Sequence, residues 1–229
     1  MSNRLLAPIL AAFVLTAFVL AACGAIGPGP APQLYVLKPQ LGALADAPQV
    51  NWQLAVATPQ AQDSLDSHRI ALMQGPVTMD YYANAAWTDS APLVVQGLLL
   101  EALEKSGKIS GVSRDTEGLN ADYVLQTDLK DFSAHYDVAD GIPTVTVHIV
   151  AKLLAKDRTI VASLDSNHTA QASANSVPAV VLAFDEALGA SLEEIAGWAL
   201  RAPRVATEPV SATPEPVPPA ERHYRRHRQ

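Results

Sequence analysis

One cysteine in 229 residues excludes any disulfide within the chain, and with it a small cross-linked scaffold. Cationic side chains are scarce over residues 24 to 200, where nine Lys and Arg stand against twenty Asp and Glu, a net charge of −11. No nucleic-acid partner is expected, since phosphate neutralisation needs clustered cations. G-x-S-x-G, a phosphate-cradling glycine loop, H-E-x-x-H and a cysteine pair are all missing. With no nucleophile and base to name, the sequence predicts a protein that is not an enzyme and needs no cofactor or metal. "SGKISG" holds a Gly-Lys pair without phosphate-loop spacing and reads as a helix stop. His148 and His168 fall on neighbouring predicted strands, where two solvated positions explain them better than a metal or acid–base site. Asp128 and Asp131 are three apart on one strand, which places them on opposite faces and argues against a carboxylate pair.

What is present begins with an uncharged run from Leu5 to Ala22, eighteen residues behind Arg4. A positive start, an apolar middle and a small-residue end make residues 1–22 a secretory signal rather than a retained span, because the run continues into Gly24, Gly27, Pro28, Gly29 and Pro30. Leu20-Ala21-Ala22-Cys23-Gly24 resembles the lipobox of bacterial lipoproteins, in which the cysteine is acylated and becomes the new amino terminus. That resemblance makes Cys23 the lipidation site and the membrane attachment point. More than one acyl chain gives stable anchoring at about 0.8 kcal/mol per buried CH₂. By the same resemblance, Gly24 in place of Asp after the cysteine favours the periplasmic face of the outer membrane.

Residues 23–33 read as a lipidated, flexible tether, 34–201 as the folded domain, and 202–229 as a disordered, Pro-rich tail with a basic end. Pro203, Pro209, Pro214, Pro216, Pro218 and Pro219 crowd that tail, and residues 201 to 229 carry six Arg against three Glu, net +3. Arg222, Arg225, Arg226 and Arg228 make the basic end in "ERHYRRHRQ". It is either a solubilising tail or a contact for peptidoglycan, anionic headgroups or an acidic partner.

"NWQLAVA" and "HRIALMQGPVTM" read as short strands, broken at Pro59 and at Gly75-Pro76. "WTDSAPLVVQGLLLEALEKSG" reads as a helix with capping oxygens at Thr88, Asp89 and Ser90, Pro92 in its first turn and a stop at Gly107. Gly97 in its interior suggests a close packing contact. "DYVLQTDLK" alternates, with Tyr123, Leu125 and Leu129 inward. "TVTVHIVAKLLAK" and "TIVASLDSNHTAQAS" make a long antiparallel hairpin around Asp157-Arg158. From Pro178 a second amphipathic helix buries Val181, Phe184, Leu188, Leu192, Ile195 and Ala199, with Asp185, Glu186, Glu193 and Glu194 toward water. The expected architecture is α+β, a mainly antiparallel sheet with two amphipathic helices packed on one face.

Tyr81, Tyr82 and Trp87 gather three of the thirteen aromatic residues just before the first helix. They read either as a plug of the core or as a surface for a protein or lipid ligand. The stretch around them, "RIALMQGPVTMDYYANAAWTDSAPLVVQGLLLEALEKSG", together with "LYVLKP" at 34–39, resembles the ABC-type transport auxiliary lipoprotein family over about residues 33 to 200. The basic tail departs from the family pattern. The resemblance implies a periplasmic lipoprotein that serves an ABC ATPase, a permease and an MCE-domain protein in moving phospholipids or other hydrophobic molecules between the inner and outer membranes. It implies no ATP hydrolysis by this chain, an MCE-domain protein as partner, and a contact at Tyr81, Tyr82 and Trp87. Assembly into a homo-oligomer is compatible with it. The competing reading is a structural or assembly lipoprotein that binds an outer-membrane β-barrel or peptidoglycan.

Overall fold

The computed structural model describes residues 31–202 apart from 43 and 119. Residues 1–22, Cys23, and the four arginines Arg222, Arg225, Arg226 and Arg228 lie outside the described residues. Nine strands form one sheet: β1 (Gln33–Tyr35), β2 (Gln53–Val56), β3 (Gln60–Ala61), β4 (Arg69–Gln74), β5 (Thr78–Trp87), β6 (Gly111–Arg114), β7 (Tyr123–Tyr136), β8 (Thr144–Ala155) and β9 (Ile160–Gln171). Helix α1 (Ala91–Ser106) follows β5, and helix α2 (Val177–Arg201) ends the described chain. Among the described residues no helix is long and apolar enough to cross a membrane.

The α+β reading holds, but the sheet is curled and mixed rather than mainly antiparallel. Antiparallel pairing joins β4 to β5, β7 to β8 and β8 to β9, all neighbours in sequence. Parallel pairing joins β1 to β5, β2 to both β6 and β7, and β3 and β4 to β7. The physical reason lies in β7, whose fourteen residues are long enough to offer one edge to β2, β3 and β4 in succession while β8 runs along the other. Alternation reports which face of a strand is wet; it carries no information about which distant strand lies beside it.

Both helices follow their sequence signals, with local differences. Ser90 is the N-cap of α1, yet no side chain caps it; the Asp89 carboxylate instead accepts from the Ser90 N–H at 2.9 Å. Gly107, at φ 60°, closes the helix in the left-handed conformation glycine adopts at little cost. Gly97 has nothing within 4 Å of where a Cβ would stand, so it makes no close contact. The close approach is at Gly189 of α2, where an added Cβ would lie 3.2 Å from the Pro39 Cβ. Here the segment after β1 lies across α2. The Asp185 carboxylate accepts from the Lys38 N–H at 2.7 Å, and Glu193 accepts from the Gly42 N–H. Two of the acids expected to face water therefore clasp the amino-terminal segment. Burial raises the Asp185 carboxyl above its ordinary range, against the opposing Lys38 hydrogen bond.

Candidate functional site

β5 positions the aromatic cluster, and the cluster divides. Trp87 is 1 % exposed; its ring centroid lies 5.9 Å from Phe132 and 5.1 Å from Phe184, which are 4.7 Å from each other. This three-ring contact joins β5, β7 and α2 inside the core, and Trp87 offers no outward surface. Tyr81 and Tyr82 are half-buried and, as successive strand residues, point to opposite faces. The Arg69 guanidinium stacks 3.5 Å over the Tyr81 ring, and the Tyr81 hydroxyl donates to the Ser64 carbonyl at 3.1 Å. Tyr82 shares a 2.8 Å hydroxyl contact with Tyr136, which donates to Asn175 Oδ1 at 2.8 Å, while Asn175 Nδ2 donates to the Asp140 carbonyl at 3.2 Å. Burial, and then the Tyr136 hydroxyl, pushes the Tyr82 phenol far above its ordinary range, so it stays neutral.

That chain of hydrogen bonds ties three segments together at one end of the sheet: the β4–β5 turn, the β7–β8 loop and the start of α2. The Gly75 N–H, at the left-handed φ of 68° the turn requires, donates to the Tyr136 carbonyl at 3.2 Å. Between them lies a concavity of about 520 Å³ lined by Leu72, Gln74, Tyr136 and Asn175, with Asp137 and Asp140 its only charged lining residues. Exposed aliphatic side chains stand on the same loops: Val77 at 88 %, Val138 at 69 % and Ile142 at 52 %. Beside them, residues 78 to 81 of β5 pair with β4 on one side and with no strand on the other among the described residues, because β1 pairs only at 85 to 87, and a register shift interrupts the β4 ladder between Tyr81 and Ala86.

The structure also brings together three residues that periodicity missed. A register shift in β7 between Leu129 and Asp131 reverses the alternation, so Phe132 and Ala134 turn inward and Asp131, Ser133 and His135 share the other face. The same shift puts Asp128 and Asp131 on one face, correcting the expectation of opposite faces. Asp128 is held by Lys152 at 3.2 Å, and Asp131 by His135. Ser133 Oγ lies 2.5 Å from Asp131 Oδ1 and 3.1 Å from His135 Nε2, and the same Nε2 contacts Asp131 Oδ2 at 2.8 Å. A nucleophile relay needs serine and carboxylate on different ring nitrogens, with the hydroxyl open to substrate. Here both use one nitrogen and Ser133 is fully buried, so the group is a local lock.

His148 and His168 do lie on paired strands but face opposite sides of them, since His148 pairs with Asn167 and His168 with Val147. Each meets a carboxylate of its own: His148 Nε2 with Asp165 at 2.7 Å, and His168 Nε2 with Glu194 at 2.8 Å. Glu194, expected toward water, also accepts from Ser166 Oγ at 2.6 Å. Burial raises its carboxyl, but the hydrogen bonds from Ser166 and His168 and the charge of His168 outweigh that and hold it below the ordinary range. Among the described residues no group of three His, Cys, Asp or Glu has metal-ligating geometry.

The sequence profile of the ABC-type transport auxiliary lipoprotein component family matches residues 35–196, nearly the whole sheet-and-helix body. A crystal structure of protein XCC0632 from Xanthomonas campestris is 32% identical, with a TM-score of 0.70, and the match covers 74% of this chain and 95% of that one. A second crystal structure, of an uncharacterized protein, has a TM-score of 0.58 at 14% identity, covers 73% of this chain and 97% of that one, and shows the shared fold alone. Among curated proteins, the uncharacterized protein bll6063 of Bradyrhizobium diazoefficiens is 28% identical over 150 residues; the match spans 65% of this chain and only 40% of that protein.

Proposed function

The chain belongs to the ABC-type transport auxiliary lipoprotein component family, and from that membership we propose a non-catalytic role beside an MCE-type transporter of phospholipids or other hydrophobic molecules. In this reading Cys23 carries the lipid that holds the protein on the periplasmic face of the outer membrane, and the folded body receives the distal end of the MCE-domain protein. The single observation that carries the reading is the family match over residues 35–196. Two structural features support it. The three-residue lock at Asp131, Ser133 and His135 leaves no exposed nucleophile there. The edge of β5 beside Tyr81 and Tyr82 has no neighbouring strand among the described residues, only the Asp80 carboxylate taking the Tyr81 N–H at 2.7 Å, so a partner strand can add there.

Tyr81 and Tyr82 are the proposed contact, with Trp87 setting the strand from the core side. The basic end at Arg222, Arg225, Arg226 and Arg228 is proposed as a secondary electrostatic contact, independent of the β5 edge. Pull-down from mildly solubilised envelopes, with the lipidated chain and a Cys23→Ala control, tests the role. An MCE-domain protein recovered with the wild type, and lost with a Tyr81→Ala, Tyr82→Ala double variant that still folds, is the expected result. Recovery of only a β-barrel protein or peptidoglycan fragments would replace this role with a structural one.

A further inference from the structure

The direction in which the chain enters the body has a consequence for how the body sits on a membrane. β1 pairs with β5 in parallel, Gln33 opposite Ala85 and Tyr35 opposite Trp87. Ala31 and Pro32 therefore lead into Gln33 from the side of the β4–β5 turn, and Pro32, with its fixed φ, favours an extended entry. Nine residues, and so ten Cα-to-Cα steps, separate Gln33 from Cys23, about 33 Å at full extension. Along β5 from Ala85 back to Thr78 the distance is about 24 Å. That extended length is enough for an acyl group on Cys23 to reach the level of the turn with about 10 Å to spare.

At that end exposed apolar side chains stand out, Val77 on the β4–β5 turn, Met79 at the start of β5, and Val138 and Ile142 on the adjacent β7–β8 loop, among the exposed carboxylates Asp80, Asp137 and Asp140. Such apolar side chains suit the boundary between headgroups and acyl chains. We propose that this end rests on the bilayer to which Cys23 is attached, with Val77, Val138 and Ile142 in the headgroup layer. The lipid it meets is zwitterionic rather than anionic, because the concavity between the loops is itself acidic: among the described residues its charged lining is Asp137 and Asp140, with no cation. Their carboxylates attract an ammonium headgroup and repel a phosphate-rich one. The inference rests on the lipid anchor at Cys23 and adds the orientation and the lipid class.

The test uses the acylated chain in vesicles of phosphatidylethanolamine and phosphatidylcholine. Acylation blocks the Cys23 sulfur, so Val77→Cys or Val138→Cys supplies the only free thiol for a nitroxide label. Ile160→Cys is the control, since Ile160 is also an exposed aliphatic residue but stands at the opposite end, beside the β8–β9 turn. The label at 77 and at 138 should be several-fold more accessible to lipid-soluble oxygen than to an aqueous nickel chelate, with the reverse at 160. Replacing part of the lipid with phosphatidylglycerol should weaken that contrast.

Labels at 77 and 138 that are as water-accessible as the label at 160 overturn the orientation. Protection that persists without vesicles means that the end packs on a second copy, and also overturns it. A contrast that grows with phosphatidylglycerol overturns the lipid class. Mass spectrometry that finds no acyl group on Cys23 defeats the anchoring role itself, an outcome distinct from an acylated chain whose tip stays in water.

Discussion

The two halves of the molecule are built by different rules. From Tyr123 onward, sequence neighbours are spatial neighbours: β7, β8 and β9 pair in order, and α2 returns across β8 and β9. Before Tyr123, each strand has four residues or fewer except β4 and β5, and β1, β2, β3 and β4 find parallel partners far along the chain. The carboxy-terminal half is a scaffold that local pairing specifies. The amino-terminal half is laid onto it and carries Tyr81 and Tyr82, and the concavity forms where the two halves meet, between the β4–β5 turn and the β7–β8 loop. Both halves leave a strand edge open among the described residues, β5 over its first part in one and β9 along its outer side in the other, but only the β5 edge stands beside the tyrosines and the β4–β5 turn.

The strongest way to break this comparison is at the joint. Trp87 comes from the amino-terminal half, Phe132 and Phe184 from the other, and their rings meet in the core. Phe184→Ala empties the centre of that contact and should cost about 3–5 kcal/mol in urea unfolding. A loss below about 1 kcal/mol would mean that the halves are not joined there. Next comes Gln96, buried in α1, whose Nε2 donates to the Val56 carbonyl at 3.0 Å and so fastens helix to strand within the amino-terminal half. Gln96→Leu leaves that carbonyl without this donor and should cost about 1–3 kcal/mol. Because the link lies wholly within one half, hydrogen exchange should speed up first in β2 and α1, with β8 unchanged.

How much of this could be read from residues alone follows the same division. The β8–β9 hairpin, the alternation at Tyr123, Leu125 and Leu129, both helices and the Gly107 stop were legible because each is a local pattern. The parallel pairings were not, since nothing in "NWQLAVA" states that Leu54 will lie beside Tyr123. The β7 bulge was hidden for a related reason: one extra residue at Lys130 reverses every face after it, so Asp131, Ser133 and His135, which unbroken alternation from Tyr123 would turn inward, lie together on the other face. In the aromatic cluster, proximity in sequence was visible but direction was not. Trp87 turned into the core, and Tyr81 and Tyr82 to opposite faces. The two glycines make the same point. Gly97→Ala should stabilise the protein by about 0.5–1 kcal/mol, because helix propensity rises and no neighbour is in the way. Gly189→Ala should destabilise it, by pressing the Pro39 segment off α2. Equal effects on unfolding would erase the distinction drawn between them.

The smallest effect concerns the seam between α2 and β9, and only acid reveals it. Glu194 has a lowered pKa through Ser166 and His168, so its contribution to stability is complete above the ordinary Glu value of about 4.3 and disappears as pH falls through the lowered one. Asp185, one helix face away, has a raised pKa, so between its ordinary value and the raised one the folded state holds more protons and stability falls as pH rises. The two acids therefore act in opposite senses, one on the seam of the scaffold and one on the clasp that holds the amino-terminal segment. Glu194→Gln should flatten the loss of Tm below about pH 4 while changing little at pH 7, because the side chain is largely exposed and its ion pair is screened. Asp185→Asn, which keeps an acceptor for the Lys38 N–H, should remove the opposing slope above about pH 4. If both variants shift the acid limb in the same direction, the seam and the clasp do not titrate separately, and the division of the molecule at Tyr123 does not extend to its electrostatics.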